Sequence, residues 1–128
     1  MRRLAALAAI LAGPAAAQTV AVPSGQTVTL TEVIRDVPGP GGIAYRYRFV
    51  APGIARNGGG IDATTAAADI DALCRDVVLP DLAGGVRPDQ VIISLSDRPV
   101  PFGQPAPDAT QFFESYRIED GACIWEEF

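Results

Sequence analysis

Apolar and polar positions alternate along this chain with two different periods. Over "IAYRYRFV" the period is two, with Tyr45, Tyr47 and Phe49 on one parity and Arg46 and Arg48 on the other. That is the pattern of a strand with one buried face. The same period runs through "RPDQVIISLSDRPVPFG", where Val91, Ile93 and Leu95 oppose Ile92, Ser94 and Ser96 and Pro99 and Pro101 are the expected end. "VAVPSGQTVTLTEVIRDV" predicts a short strand, a Pro-Ser-Gly turn and a second strand. In that second strand Val28, Leu30 and Ile34 share one parity, and Thr29, Thr31 and Arg35 the other. "QFFESYRIEDGACIWEEF" predicts a hairpin turning at Glu119-Asp120-Gly121, with Cys123, Trp125 and Glu127 on one face of its last strand.

One segment, "IDATTAAADIDALCRDVVLPDLAGG", has helical spacing instead. Ala66, Ile70, Leu73, Cys74 and Val77 form one apolar stripe, and Asp69, Asp71, Arg75 and Asp76 lie off it. Asp62 or Thr64 is the expected cap, Pro80 the expected limit, and Asp71 and Arg75 stand four apart in the favourable acid-first order. The stretches between, including "APGIARNGGG" with its mobile-looking glycines, read as turns and loops. The elements combine as an α+β domain: a mostly antiparallel sheet of about five to six strands with one helix packed on one face. Trp125 is expected under that helix, near Tyr45, Tyr47, Phe49, Val91, Ile93 and Leu95. The pattern does not fix the strand order.

The first residues change the compartment. "MRRLAALAAILAGPAAAQ" has two arginines, a short apolar run, a Gly-Pro break and Ala15-Ala16-Ala17, the plan of a secretory signal peptide cut after Ala17. Residues 1–17 are therefore expected to be a leader and 18–128 a single small domain. No cysteine stands near that site to carry a lipid, and no later segment is apolar enough to span a membrane. Loss of Arg2 and Arg3 leaves eight arginines against 15 acids, a net charge of −7, which disfavours nucleic acid as a partner.

Export gives the two cysteines a meaning. Cys74 and Cys123 are expected to form a disulfide tying the helix to the C-terminal strand. Closing a loop of 49 positions stabilises by roughly 4 kcal/mol in the chain-entropy model. No C-x-x-C motif points to a redox-active pair.

The chain has no histidine, so Ser-His-Asp and Cys-His chemistry is absent, as are the common His-bearing zinc and copper sites. No metal, cofactor or catalytic residue is expected. Carboxylates remain, and Glu114, Glu119, Asp120, Glu126 and Glu127 cluster near the C-terminus. A turn and a terminus are poor places to raise a carboxyl pKa, as a glycosidase requires. Arg46 and Arg48 project from the sheet face opposite the aromatics, with Arg35, Arg98 and Arg117 as candidates to join them. They read either as a surface for carboxylates or other anions or as cross-strand partners of Glu32, Glu114 or Glu126. In "DRPVPFGQPAP", Phe102 is either an exposed anchor on a proline-stiffened loop or a cover for the core edge.

At "ISLSDRPVPFG" and "QFFESYRIEDGACIWEEF" the chain resembles an uncharacterised family of short exported bacterial proteins with a C-terminal "FFE…YRIEDG…CIWE…F" pattern. The resemblance implies export and a shared fold, and no activity. The expected function is a small non-enzymatic periplasmic binding or interaction module for a protein or a small anionic ligand. Arg46, Arg48, Arg98 and Phe102 are its candidate contacts. The alternatives are a carboxylate-dependent hydrolase of glycans and an inhibitor of a secreted hydrolase.

Overall fold

The structure, a computed structural model, describes residues 17–39 and 42–127. The expected leader, apart from Ala17, lies outside the described residues. Six strands form one sheet in chain order: β1 (Gln18–Val20), β2 (Val28–Gly39), β3 (Gly42–Val50), β4 (Gln90–Ser96), β5 (Gln111–Glu119) and β6 (Ala122–Glu126). Every neighbouring pair is antiparallel except β3 and β4. A parallel pair needs a crossover, and the helical segment supplies it. The result is the expected α+β layer: a mostly antiparallel six-stranded sheet with the helix on one face.

Tyr45, Tyr47 and Phe49 from β3, Val91, Ile93 and Leu95 from β4, and Tyr116 from β5 face the helix and are buried. Ala66, Ile70, Leu73 and Cys74 meet them from the helix side. Asp62 is the N-cap and accepts from the Thr65 N–H at 2.8 Å. The helix begins as α1 (Ala63–Leu73) and passes through a π turn over Cys74–Val78. It resumes as α2 (Leu79–Leu82). Pro80 therefore does not end the helix. It has no N–H to give and its ring crowds the carbonyl four residues back, and the chain absorbs this by a wider turn in which the Leu79 N–H bonds to the Cys74 carbonyl. The extra residue rotates the later positions. Val78 becomes fully buried while Val77 is only partly so. The expected Asp71–Arg75 pair is not made: Arg75 pairs with Asp76, and Asp71 accepts from the Tyr116 hydroxyl.

Cys74 and Cys123 are bonded, with Cα atoms 6.4 Å apart. Trp125 lies on the helix side of β6 but not under the helix. It is 54% exposed, and its indole N–H donates to Glu114. Tyr116, 1% exposed, fills the place beneath the helix. Asp69 also departs from the off-stripe expectation. It is fully buried and accepts from the Ser24 N–H at 2.9 Å, the Ser24 hydroxyl at 2.5 Å and the Gln26 side-chain amide at 2.8 Å. The carboxylate holds the turn between β1 and β2 onto the helix. The glycine loop is likewise packed: a Cβ at Gly59 would stand 2.3 Å from the Ala55 carbonyl oxygen and 2.4 Å from that of Gly53, an approach open only to glycine.

β2 carries a register shift at Thr31. Val28 and Leu30 face the helix before it, and Val33 after it. The bulge, one extra residue, thus breaks the single parity that alternation assigned to this strand. It sends Ile34 to the second face, opposite Arg46, and Arg35 to the helix side. There Arg35 lies 5.4 Å from the Tyr45 ring centroid and 3.0 Å from an Asp81 carboxylate oxygen.

Candidate functional site

The second face of the sheet holds the candidate site. β3 projects Arg46 and Arg48 there, opposite Ile92 and Ser94 of β4. β4 pairs with β3 along its whole length and with β5 over Val91–Ser96, and all seven of its residues are buried. What covers its second face is the segment of residues 97–110. Its prolines restrict the backbone, and two reverse turns fold it, one from the Gln104 N–H to the Pro101 carbonyl and one from the Ala109 N–H to the Ala106 carbonyl. Arg48 pins the loop by donating to the Val100 carbonyl at 2.8 Å, while its other terminal nitrogen meets Glu32 at 2.7 Å. Phe102 then sits over both cations, 5.4 Å from the Arg46 guanidinium carbon and 5.5 Å from that of Arg48, within cation–π range. It is 45% exposed, so one ring edge covers the sheet and the other meets solvent.

The two arginines differ in what neutralises them. Arg48 has Glu32. Arg46 makes no ion pair among the described residues, and its Nε is buried with no hydrogen-bond partner. Two cavities meet at its side chain. One, of about 220 Å³, lies under the loop among Arg46, Arg48, Ser94, Phe102 and Gln104. The other, of about 480 Å³, runs from Arg46 and Ile92 past Gln111 and Phe113 to Ala63 and Ala67 of α1. The chain carries a formal charge of −5, yet here one guanidinium faces open space beside polar side chains and an aromatic face; the one acid lining the larger cavity, Glu114, accepts from the Trp125 indole.

The chain matches the model of a family of unknown function, DUF6497, over residues 5–128. It belongs to that family. No curated protein and no solved structure matches it.

Of the four contact residues expected from the sequence of this DUF6497 member, the fold gathers Arg46, Arg48 and Phe102. Arg98 stands apart in a neighbouring cavity of about 500 Å³ that also includes Thr31, Glu32 and Pro99, held at 3.1 and 3.2 Å by the carboxylate of Asp97. Arg117 pairs with Glu126 at 2.6 Å and Glu119 at 3.4 Å. Cross-strand neutralisation thus accounts for Arg48 and Arg117 but not for Arg46.

Several acids of this family member are taken up by other bonds. Asp69 holds a turn, Asp71 and Asp81 accept from Tyr116 and Tyr47, and Glu114 accepts from Trp125. Burial first, and these carboxylates second, push both tyrosines well above their ordinary pKa of about 10. Among the described residues no three side chains group as metal ligands. Gln104, Gln111 and Phe113 were not foreseen at the site. Alternation could have placed Gln111 and Phe113 on the second face once β5 was in register with β4, but no sequence signal brings Gln104 back over the sheet.

Proposed function

We propose that this protein is a small binding module that captures an anionic group, a carboxylate above all, on the sheet face built by Arg46, Arg48 and Phe102. One observation carries the reading: among the described residues Arg46 makes no ion pair, its Nε is buried without an acceptor, and it lies where two cavities meet. A buried donor left unpaired costs about 1–3 kcal/mol. A bound oxyanion would recover that cost by accepting from Arg46, with Ser94, Gln104 and Gln111 as further polar contacts and Phe102 fixing the plane of the guanidinium. Arg48, already neutralised by Glu32, acts as the strut that holds the loop in place.

The disulfide supports a setting outside the reducing cytosol, in line with a cleaved leader over residues 1–17. No helix among the described residues is long and apolar enough to cross a membrane. The structural bonds of Asp69, Asp71 and Asp81 favour binding over carboxylate-dependent hydrolysis.

The test is titration of the disulfide-bonded chain 18–128 with glutarate and with inorganic phosphate, followed by calorimetry and amide NMR shifts. Saturable binding with shifts at Ser94, Gln104 and Gln111 is expected. Arg46→Gln should weaken it about tenfold or more, the magnitude of one charge-assisted hydrogen bond, and Arg98→Gln should leave it unchanged. Linear, unsaturable shifts with both anions would sink the reading.

A further inference from the structure

We infer that the ligand is an extended acidic polypeptide that adds a short strand to the free part of the β5 edge and places a carboxylate on Arg46. This rests on the anion reading above and names the class of partner. The edge is set by the unequal lengths of two strands. β5 pairs with β4 over Gln111–Tyr116, but β6 pairs only with Ser115–Glu119. Among the described residues, Gln111–Glu114 therefore have a neighbour on one side only. The direction of their backbone groups follows from the ladder. The Asp97 N–H bonds to the Thr110 carbonyl, so in an antiparallel pair Phe112 and Glu114 also turn toward β4, and Gln111 and Phe113 turn outward. Their N–H and C=O groups are an open template for strand addition.

The edge does not stand alone. The cavity of about 480 Å³ joins it to Arg46, with Ile92 as floor, Ala63 and Ala67 of α1 as the far wall, and Glu114, which accepts from the Trp125 indole, at its rim. Phe113, on the outward-turned position, is 48% exposed. A strand added here would place alternate side chains on the Arg46 side, next to Phe113. Arg46, which makes no ion pair among the described residues, selects a carboxylate there.

Chemistry and size favour a separate peptide over a second copy. Pairing two four-residue edges buries far less than the roughly 1,200 Å² of a stable protein interface. A peptide needs only the edge and the groove beside it.

The experiment is selection of random dodecapeptides on the disulfide-bonded chain 18–128, with amide hydrogen exchange of the complexes. The expected result is enrichment of peptides bearing Asp or Glu, slowing of exchange at Gln111 and Phe113 by at least tenfold, and loss of binding by at least tenfold in Arg46→Gln. Phe113→Pro removes one outward N–H and should abolish peptide binding. If that variant does not fold, the exchange data on the wild type decide. Peptides that bind without protecting Gln111 and Phe113 would overturn strand addition and leave the anion reading standing. A wild-type chain that binds neither peptide nor glutarate would overturn both, and one that binds glutarate but enriches no peptide would overturn strand addition alone. Concentration-dependent dimerisation that protects the same two amides would also overturn it, assigning the edge to a second copy.

Discussion

Asp69 shows how far a single residue can depart from its pattern. In the sequence it is one acid among three beside a helical stripe. In the fold it is fully buried and answers three donors from Ser24 and Gln26. Helical spacing could not reveal this, because the partners are 43 and 45 positions away. Asp69→Ala strands those donors, and hydrogen bonds to a charged group contribute about 1.5–3 kcal/mol. The expected loss is about 3 kcal/mol, seen as a lower urea midpoint with an unchanged slope. Tyr47 and Tyr116 give a second expectation. Both have folded pKa values raised above about 10 by burial and then by Asp81 and Asp71. A group raised on folding contributes stability that is complete below its unfolded pKa and is lost as pH rises through the folded value. Stability should therefore hold to about pH 10 and fall beyond it. In Tyr47→Phe/Tyr116→Phe the fall should be shallower, by denaturant midpoint across pH 8–12. An equally steep fall would mean that neither hydroxyl titrates with folding.

At the scale of elements, alternation identified both faces of β3 and β4, and the Asp-Gly pair marked the β5–β6 turn, where Asp120 and Gly121 both adopt positive φ of 52° and 74°. Three features escaped, each for a physical reason. The Thr31 bulge in β2 has no Gly or Pro to announce it, and it sent Arg35 to the side opposite the one expected. Pro80 was read as a stop, but tertiary packing of Val78 and Leu82 carries the helix past it. Trp125 was expected in the core because it is large and apolar, yet β6 lies at the sheet's edge, outside the helix's cover. The last point has a measurable consequence. Tyr116→Ala empties a buried site and should cost about 3–5 kcal/mol. Trp125→Ala, at a half-exposed edge, should cost about 1 kcal/mol. Equal costs in chemical denaturation would place the indole in the core after all.

The whole molecule is a sheet in which each strand lies beside its neighbours in sequence, with one helical crossover and one covalent tie. The class of architecture and the tie were legible: periodicities of 2 and 3.6 gave the layers, and two cysteines allow one pairing. The candidate site was legible only in part. Arg46 and Arg48 were expected on one face and Phe102 on a separate contact loop; that the loop folds Phe102 over both cations was not legible, and the separation of Arg46 from the neutralised Arg48 depends on which acids the register brings close. Glu32 reaches Arg48 only because β2 shifts by one residue at Thr31.

The Cys74–Cys123 bond encloses the exposed loop of residues 98–109 within its ring. A protease that nicks this loop, the kind of polar, surface-lying segment such enzymes prefer, would not release either product. The nicked molecule should migrate as one band on a gel run without thiol and separate into two pieces once dithiothreitol is added. A fragment lost before reduction would mean that the bridge had not formed in the sample.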